Sequence, residues 1–281
     1  MHFYKYHGLG NDFILTTDLD GDLDGALDAS PEQAARLCNR HTGIGADGWL
    51  LVRRSESCDV AMFLYNSDGS VAEMCGNGLR CFAKFVYDQG IVAKEDFTVE
   101  TLAGVMHVHV TAENGQALQI TANLGRASLE RAAVPMVGQG VCDRETVRVL
   151  DRDFTISACR MGVPHVVVFG RDFTDADVLK YGPVLETSPL FPEKANINFA
   201  NLLDAGTVEV RTWERGCGRT LACGTGSCAT AVLCHAAGFT GEQVEIRLQE
   251  GSLRIRLTPE GVVMTGPAEL AFQGDWAEPG A

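Results

Sequence analysis

Hydrophobic residues in this chain fall in short runs bounded by glycine and polar clusters, and in several of them apolar and polar positions alternate. Residues 49–53 (WLLVR), 59–65 (DVAMFLY), 105–111 (VMHVHVT), 165–169 (HVVVF), 207–213 (TVEVRTW), 244–248 (VEIRL) and 253–257 (LRIRL) read as strands. Successive side chains on a strand point to opposite faces, so VMHVHVT and LRIRL each present one apolar and one polar face. The helical period is rarer. Ser30-Pro31-Glu32-Gln33 predicts a helix start, with Ser30 as cap, Pro31 in the first turn and Gln33 completing a capping box. That helix should run to about Arg40, before the glycines at 43, 45 and 48. Leu79, Phe82, Ala83 and Val86 share one face of a second helix. Ala229, Val232 and Leu233 pack a third, which stops at Gly238.

The second and third helices belong to an internal echo. Tyr65-Asn66-Ser67-Asp68-Gly69 through Cys75-Gly76-Asn77-Gly78 lies 148 residues before Trp213-Glu214-Arg215-Gly216-Cys217 through Cys223-Gly224-Thr225-Gly226. Each stretch reads as a strand ending in an aromatic residue, a polar turn, Cys-Gly-x-Gly, and a helix. Such an offset in 281 residues implies two similar halves, and matched halves are suited to building a single site.

Charge and cysteine usage narrow the chemistry. A net charge of −14 argues against a nucleic-acid footprint, which needs clustered Lys and Arg. The start MHFYKYHGLGNDF has neither the basic opening nor the apolar core of a signal peptide, and no apolar run reaches the ~18 residues of a membrane span. A cytoplasmic enzyme is expected. None of the ten cysteines forms a CxxC pair, so zinc-ribbon and thioredoxin-like readings lose their main support. Most should be small buried hydrophobes.

Two motif matches fail on context. Gly43-Ile44-Gly45-Ala46-Asp47-Gly48 fits GxGxxG, but a helix precedes it and a strand follows, the reverse of a dinucleotide site. Asp20-Gly21-Asp22-Leu23-Asp24-Gly25 resembles the opening of an EF-hand loop, yet position twelve is Pro31 where a bidentate Glu is required. Cys-Gly-x-Gly at a helix start holds together better. The first turn leaves N–H groups unpaired and carries partial positive charge, which favours a thiolate. A neighbouring glycine lets a carboxylate approach those N–H groups. Two such thiols would suit inversion of an amino-acid stereocentre, one abstracting the α-proton and the other donating from the opposite face. No ligand cluster or Schiff-base motif is visible, so neither metal nor pyridoxal phosphate is expected.

HGLGNDF at 7–13, the GIGADG turn, YNSDG at 65–69, MCGNGLRCFAKF at 74–85, Pro164-His165, Asn196 and ERGCGRTLACGTGSC at 214–228 together resemble the diaminopimelate epimerase family over essentially the whole chain. The resemblance implies an α/β fold of two pseudo-symmetric halves, each a mixed sheet or barrel wrapped around a central helix. They divide near residue 118 (1–118 and 119–281), and the C-terminal tail returns to the first half. It implies interconversion of LL- and meso-diaminopimelate, in lysine and cell-wall precursor synthesis, without a cofactor. Cys75 and Cys223 match the proton-transfer residues. His165 and Glu214 match groups that position the substrate amine and tune proton transfer. Gly76, Asn77, Gly224 and Thr225 match the helix-start residues that bind the reacting carboxylate. Asn11, Asn66, Asn196 and Arg215 match residues that hold the distal amino-acid end.

The chain departs from the family at Val163, where many members have Asn, at Gly48, where some have a Gln touching the distal end, and at Arg219, a frequent Glu. The first two keep a sister racemase, such as a histidine racemase, as an alternative. A thiol-redox protein fits less well, given the absence of CxxC and the carboxylate-binding glycines, and two poised thiols argue against a non-catalytic amino-acid binder. The expected partner is the small-molecule substrate, with no nucleic acid and no membrane. A homodimer is the assembly carried with this reading.

Overall fold

The computed structural model describes residues 1–19 and 29–277, so the acidic turn at 20–25 lies outside the described residues. The chain forms two compact units: Met1–Ala122 with the tail from Gly266, and Asn123–Thr265.

The first unit runs β1 (His2–Gly8), β2 (Asn11–Asp18), α1 (Pro31–Cys38), β3 (Gly48–Arg53), β4 (Val60–Asn66), β5 (Val71–Ala72), α2 (Gly76–Asp88), β6 (Asp96–Thr101), β7 (Gly104–Glu113) and β8 (Gln116–Asn123). The second runs β9 (Glu145–Val149), β10 (Arg152–Met161), β11 (Val163–Gly170), α3 (Asp175–Glu186), β12 (Asn196–Asp204), β13 (Thr207–Glu214), β14 (Gly218–Thr220), α4 (Gly224–Ala236), β15 (Gln243–Leu248), β16 (Gly251–Thr258) and β17 (Gly261–Gly266). A last strand, β18 (Glu269–Asp275), pairs antiparallel with β1. The ladder of β8 with β7 carries the first unit past residue 118, so the chain leaves that unit at Ala122.

The two units repeat one topology. In the first, β1–β2 is antiparallel, β2–β3 parallel, β3–β4 antiparallel, β4–β6 parallel, and β6–β7 and β7–β8 antiparallel. In the second, β10–β11, β11–β12, β12–β13, β13–β15, β15–β16 and β16–β17 follow the same sequence of directions. Each parallel step needs a crossover, and helices α1 and α3 or α2 and α4 supply it. All seven expected strand segments fall within strands or overlap them by all but a terminal residue.

Each central helix is enclosed by its own strands. Helix α2 packs against β1, β2, β3, β4 and β7, and buries Leu79, Phe82, Ala83 and Val86 completely. Burial of each large apolar side chain contributes ~1.5–3 kcal/mol. Helix α4 packs against β10, β11, β12, β13, β15 and β16 through small residues. Its hydroxyls turn back onto the helix, Ser227 Oγ donating to Cys223 O (2.9 Å) and Thr230 Oγ1 to Gly226 O (2.8 Å), so no polar atom meets the sheet unpaired. The helix ends as expected at Gly238, in the left-handed region at φ +76°, with Gly238 N–H donating to His235 O and Phe239 N–H to Cys234 O.

Helix α1 shows two departures from expectation. Ser30 Oγ accepts from Gln33 N–H at 3.2 Å, but the Gln33 side chain accepts from Arg36 (3.3 Å) instead of closing the box. The helix also stops at Cys38, two residues short of Arg40. Among the described residues no helix is long and apolar enough to cross a membrane.

Candidate active site

Two cysteines cap the two central helices in the same way. Cys75 has φ −139° and ψ 122°, and its Sγ accepts from Gly78 N–H at 3.5 Å. Cys223 has φ −125° and ψ 109°, and its Sγ accepts from Gly226 N–H at 3.3 Å. Both helices are 13 residues long, and each follows a short hairpin, β4–β5 or β13–β14. A sulfur in the N-cap position takes the role usually filled by a Ser or Asp oxygen. It therefore sits where the helix presents its unpaired N–H groups and positive end, the setting that stabilises a thiolate. Gly76 and Asn77, like Gly224 and Thr225, occupy the first two helical positions, whose N–H groups have no acceptor within the helix.

Glycine at the third helical position differs in necessity between the sites. A Cβ on Gly226 would overlap Asn198 Oδ1 and come within 3.2 Å of the Cys223 sulfur. A Cβ on Gly78 would find nothing nearer than Cys75 Cβ at 3.4 Å, an ordinary contact.

Around Cys75, the first unit brings together Asn11 and Asn77. Asn77 Nδ2 donates to Asn11 Oδ1 at 3.0 Å, and the Cys75 thiol lies 3.9 Å from the same oxygen. Asn11 Nδ2 donates in turn to Asp47 Oδ2 at 2.7 Å, which fixes which way its amide faces. Behind it lies a network that sequence reasoning missed. Arg40 bridges Asp12 (2.7 Å) and Asp47 (2.8 Å), and the buried Lys5 pairs with Asp12 at 2.7 Å. Burial alone would raise the Asp12 carboxyl, but hydrogen bonds from Arg40 and Lys5 hold it well below the usual carboxylate range. Burial raises Asp47, and the neighbouring Asp12 charge adds to this. The aspartates of GNDF and GADG were the available signal. Asn66, at the end of β4, donates to Ser70 Oγ at 2.9 Å and shapes the turn after that strand.

Around Cys223, the second unit places Thr225 Oγ1 3.6 Å from the sulfur. Glu214 ends β13 and accepts from Thr220 Oγ1 at 2.6 Å, across the hairpin that leads to the cysteine. Asn196 is buried, and its Oδ1 accepts the Arg215 N–H at 2.7 Å. The Arg215 side chain is exposed, with its guanidinium on Glu193 O at 3.0 Å. Glu186, also missed, anchors this turn by accepting from Trp213 Nε1 (2.7 Å) and Gly216 N–H (3.2 Å). His165 lies fully buried in β11, its ring 3.3 Å from Asn198 Nδ2. Burial, with the Arg215 charge, pushes it down to about 3, so the ring is neutral at working pH.

Four buried thiols contrast with these two. Burial pushes Cys38, Cys159 and Cys234 up to about 12 and Cys142 to about 11, where no thiolate forms near neutrality. Among the described residues no three His, Cys, Asp or Glu side chains are grouped as a metal ion would require.

Similarity to known proteins follows the same segments. The family model for diaminopimelate epimerase matches residues 3–130 and 157–271. Diaminopimelate epimerase of Moorella thermoacetica is 43% identical over 280 residues, covering 98% of this chain and 99% of the relative. That of Desulforudis audaxviator is 44% identical over 282 residues, with the same coverage. The fold is shared with a probable proline racemase from Agrobacterium radiobacter (TM-score 0.69, 17% identity, covering 99% of this chain and 93% of the other). It is shared equally with a phenazine biosynthesis protein from Bacillus anthracis (TM-score 0.69, 18% identity, 98% of each chain).

Proposed function

The chain belongs to the diaminopimelate epimerase family, and on that premise we propose that Cys75 and Cys223 work as one acid–base pair on a single α-carbon of diaminopimelate. One thiolate abstracts the α-proton and the other thiol delivers a proton to the opposite face, so the centre inverts. Negative charge growing on the carboxylate during abstraction is met by the N–H groups that open α2 and α4, which takes the place of an electron-withdrawing cofactor. The observation that carries this reading is the duplicated cap: two cysteines with the same backbone conformation, the same Sγ-to-N–H contact and equivalent positions in one repeated topology.

Within this proposal Gly76, Asn77, Gly224 and Thr225 bind the reacting carboxylate, and Glu214 takes the substrate amine. Asn11, Asn66, Asn196 and Arg215 read the distal end. The enzyme acts in the cytoplasm, as a homodimer, on a small-molecule substrate. Gly48 bears on specificity, because a Cβ there would lie 2.8 Å from Tyr65 O and 3.1 Å from Leu64 Cδ1. A side chain at that position would require this backbone to shift, so recognition here rests on the asparagines and Arg215. Purified enzyme offered diaminopimelate, histidine and other mono-acids should turn over diaminopimelate with the highest kcat/KM. Preference for histidine or another mono-acid would transfer the assignment to a sister racemase.

A further inference from the structure

Three buried side chains in the second unit form a hydrogen-bonded chain from β13 through β12 to β11. Thr212 Oγ1 donates to Asn198 Oδ1 at 3.2 Å, Asn198 Nδ2 donates to Val166 O at 3.2 Å, and the same nitrogen lies 3.3 Å from His165 Nδ1. Chemistry fixes the direction of this chain. A backbone carbonyl only accepts, so Asn198 must turn its Nδ2 toward Val166. That nitrogen offers hydrogens and no lone pair, so His165 Nδ1 can meet it only as an acceptor. In a neutral ring the proton then sits on Nε2. His165 Nε2 is buried, and no described residue accepts from it. A buried donor without an acceptor is rare enough in folded proteins to need an explanation, and a ligand is one.

We infer that Asn198, backed by Thr212, is a positioning residue that holds His165 as its Nε2–H tautomer, so that His165 serves the reaction as a hydrogen-bond donor to an anionic acceptor. The inference rests on the reading of His165 as a site residue. An ammonium group offers only donors, so this tautomer does not suit the substrate amine. It suits an anion: a carboxylate oxygen or a thiolate. Asn198 is close to that chemistry, since its Oδ1 occupies the space a Cβ on Gly226 would need, one turn into the helix capped by Cys223. The charged group acting on the ring is Arg215. Its register partners are Cys159 on β10, a thiol raised to about 12, and the neutral Asn196 on β12.

The test is ¹⁵N NMR of the full-length protein labelled at histidine, with His165→Gln used to assign the ring. The expected result is a protonated Nε2 and an unprotonated Nδ1 that hold from about pH 6 to about pH 8, across the range in which a free histidine titrates. A protonated Nδ1 in the unaltered protein would overturn the inference, whatever any variant does. Asn198→Asp supplies an acceptor where a donor stood, and should move the proton to Nδ1. It should lower kcat at least about tenfold, with a smaller change in KM, and add an ionisation to the pH–rate profile. A loss of the same size and without pH dependence in Asn198→Asp and Asn198→Ala would reduce Asn198 to a packing role and contradict the proposal. A shift of the Nε2 proton as the thiols ionise without ligand identifies a thiolate acceptor. A shift only on adding diaminopimelate identifies the carboxylate. No shift under either condition contradicts the proposal.

Discussion

Among the cysteines, position decides chemistry. Cys75 and Cys223 cap helices, whereas Cys38, Cys142, Cys159 and Cys234 sit in apolar surroundings that disfavour their thiolates. Replacing Cys75 or Cys223 with Ala should lower epimerisation by ~10²–10⁴-fold, the worth of a positioned acid or base. Cys58→Ser and Cys142→Ser should keep most activity in the same assay. The two capping thiols were legible because glycines flank them in a repeated pattern. Asn198, Glu186 and Asp47 were not, because each acts through hydrogen bonds to strands or turns distant in sequence. Arg215 was legible only through the family resemblance. Its guanidinium now rests on Glu193 O and must turn from that carbonyl to grip a distal carboxylate. Arg215→Met should cost ~2–5 kcal/mol of diaminopimelate binding and far less with a substrate lacking the distal carboxylate. Equal losses on both would mean that Arg215 supports the turn and does not read the distal group.

At the scale of elements, the starts of α2 and α4 share a role but differ in tolerance. Gly226→Ala forces a methyl group against Asn198 and the Cys223 sulfur, and should destabilise by about 1–3 kcal/mol, the cost of overpacking. Gly78→Ala meets only ordinary contacts and should cost less than about 1 kcal/mol. Denaturant titrations of the two variants check the difference, and equal costs would remove the asymmetry between the caps. Seven strands were visible in advance from apolar runs or alternation, but β12 was not, because Asn196, Asn198 and Asn201 are polar residues buried along it. Helix α3 escaped for another reason. It contains Pro183, and Gly182 is required where a Cβ would meet Trp213 at 2.8 Å. The Lys5–Asp12–Arg40–Asp47 network joins β1, β2 and the α1–β3 connection, and its two carboxyls act on acid stability in opposite senses, Asp12 being depressed on folding and Asp47 raised. The Asp12 carboxyl is depressed on folding, so its contribution is present above the unfolded value of about 3.9 and is lost as pH falls below it. Arg40→Met should therefore destabilise the protein at pH 7 by about 1–2 kcal/mol, a figure reduced because Arg40 is half exposed. That gap should narrow below about pH 4, as thermal melts across the range would show.

For the whole molecule, the internal echo was the most informative feature of the sequence, and the repeated order of parallel and antiparallel steps gives it structural content. One unit supplies a capped thiol with asparagines beside it. The other supplies a capped thiol with a neutral histidine and a glutamate in its hairpin. The repeat is thus exact in topology and divergent in polar residues, as two thiols with different partners would require. The central claim is that these thiols divide abstraction and donation between them. Incubation of LL-diaminopimelate with the enzyme in D₂O, sampled early in the reaction, tests it most directly. The meso product should carry deuterium at the inverted carbon while the remaining LL-substrate stays unlabelled, because the donating thiol carries a solvent deuteron. Product that retains the original proton, with label appearing in recovered substrate, would show one group serving both faces and would rule out the two-thiol division.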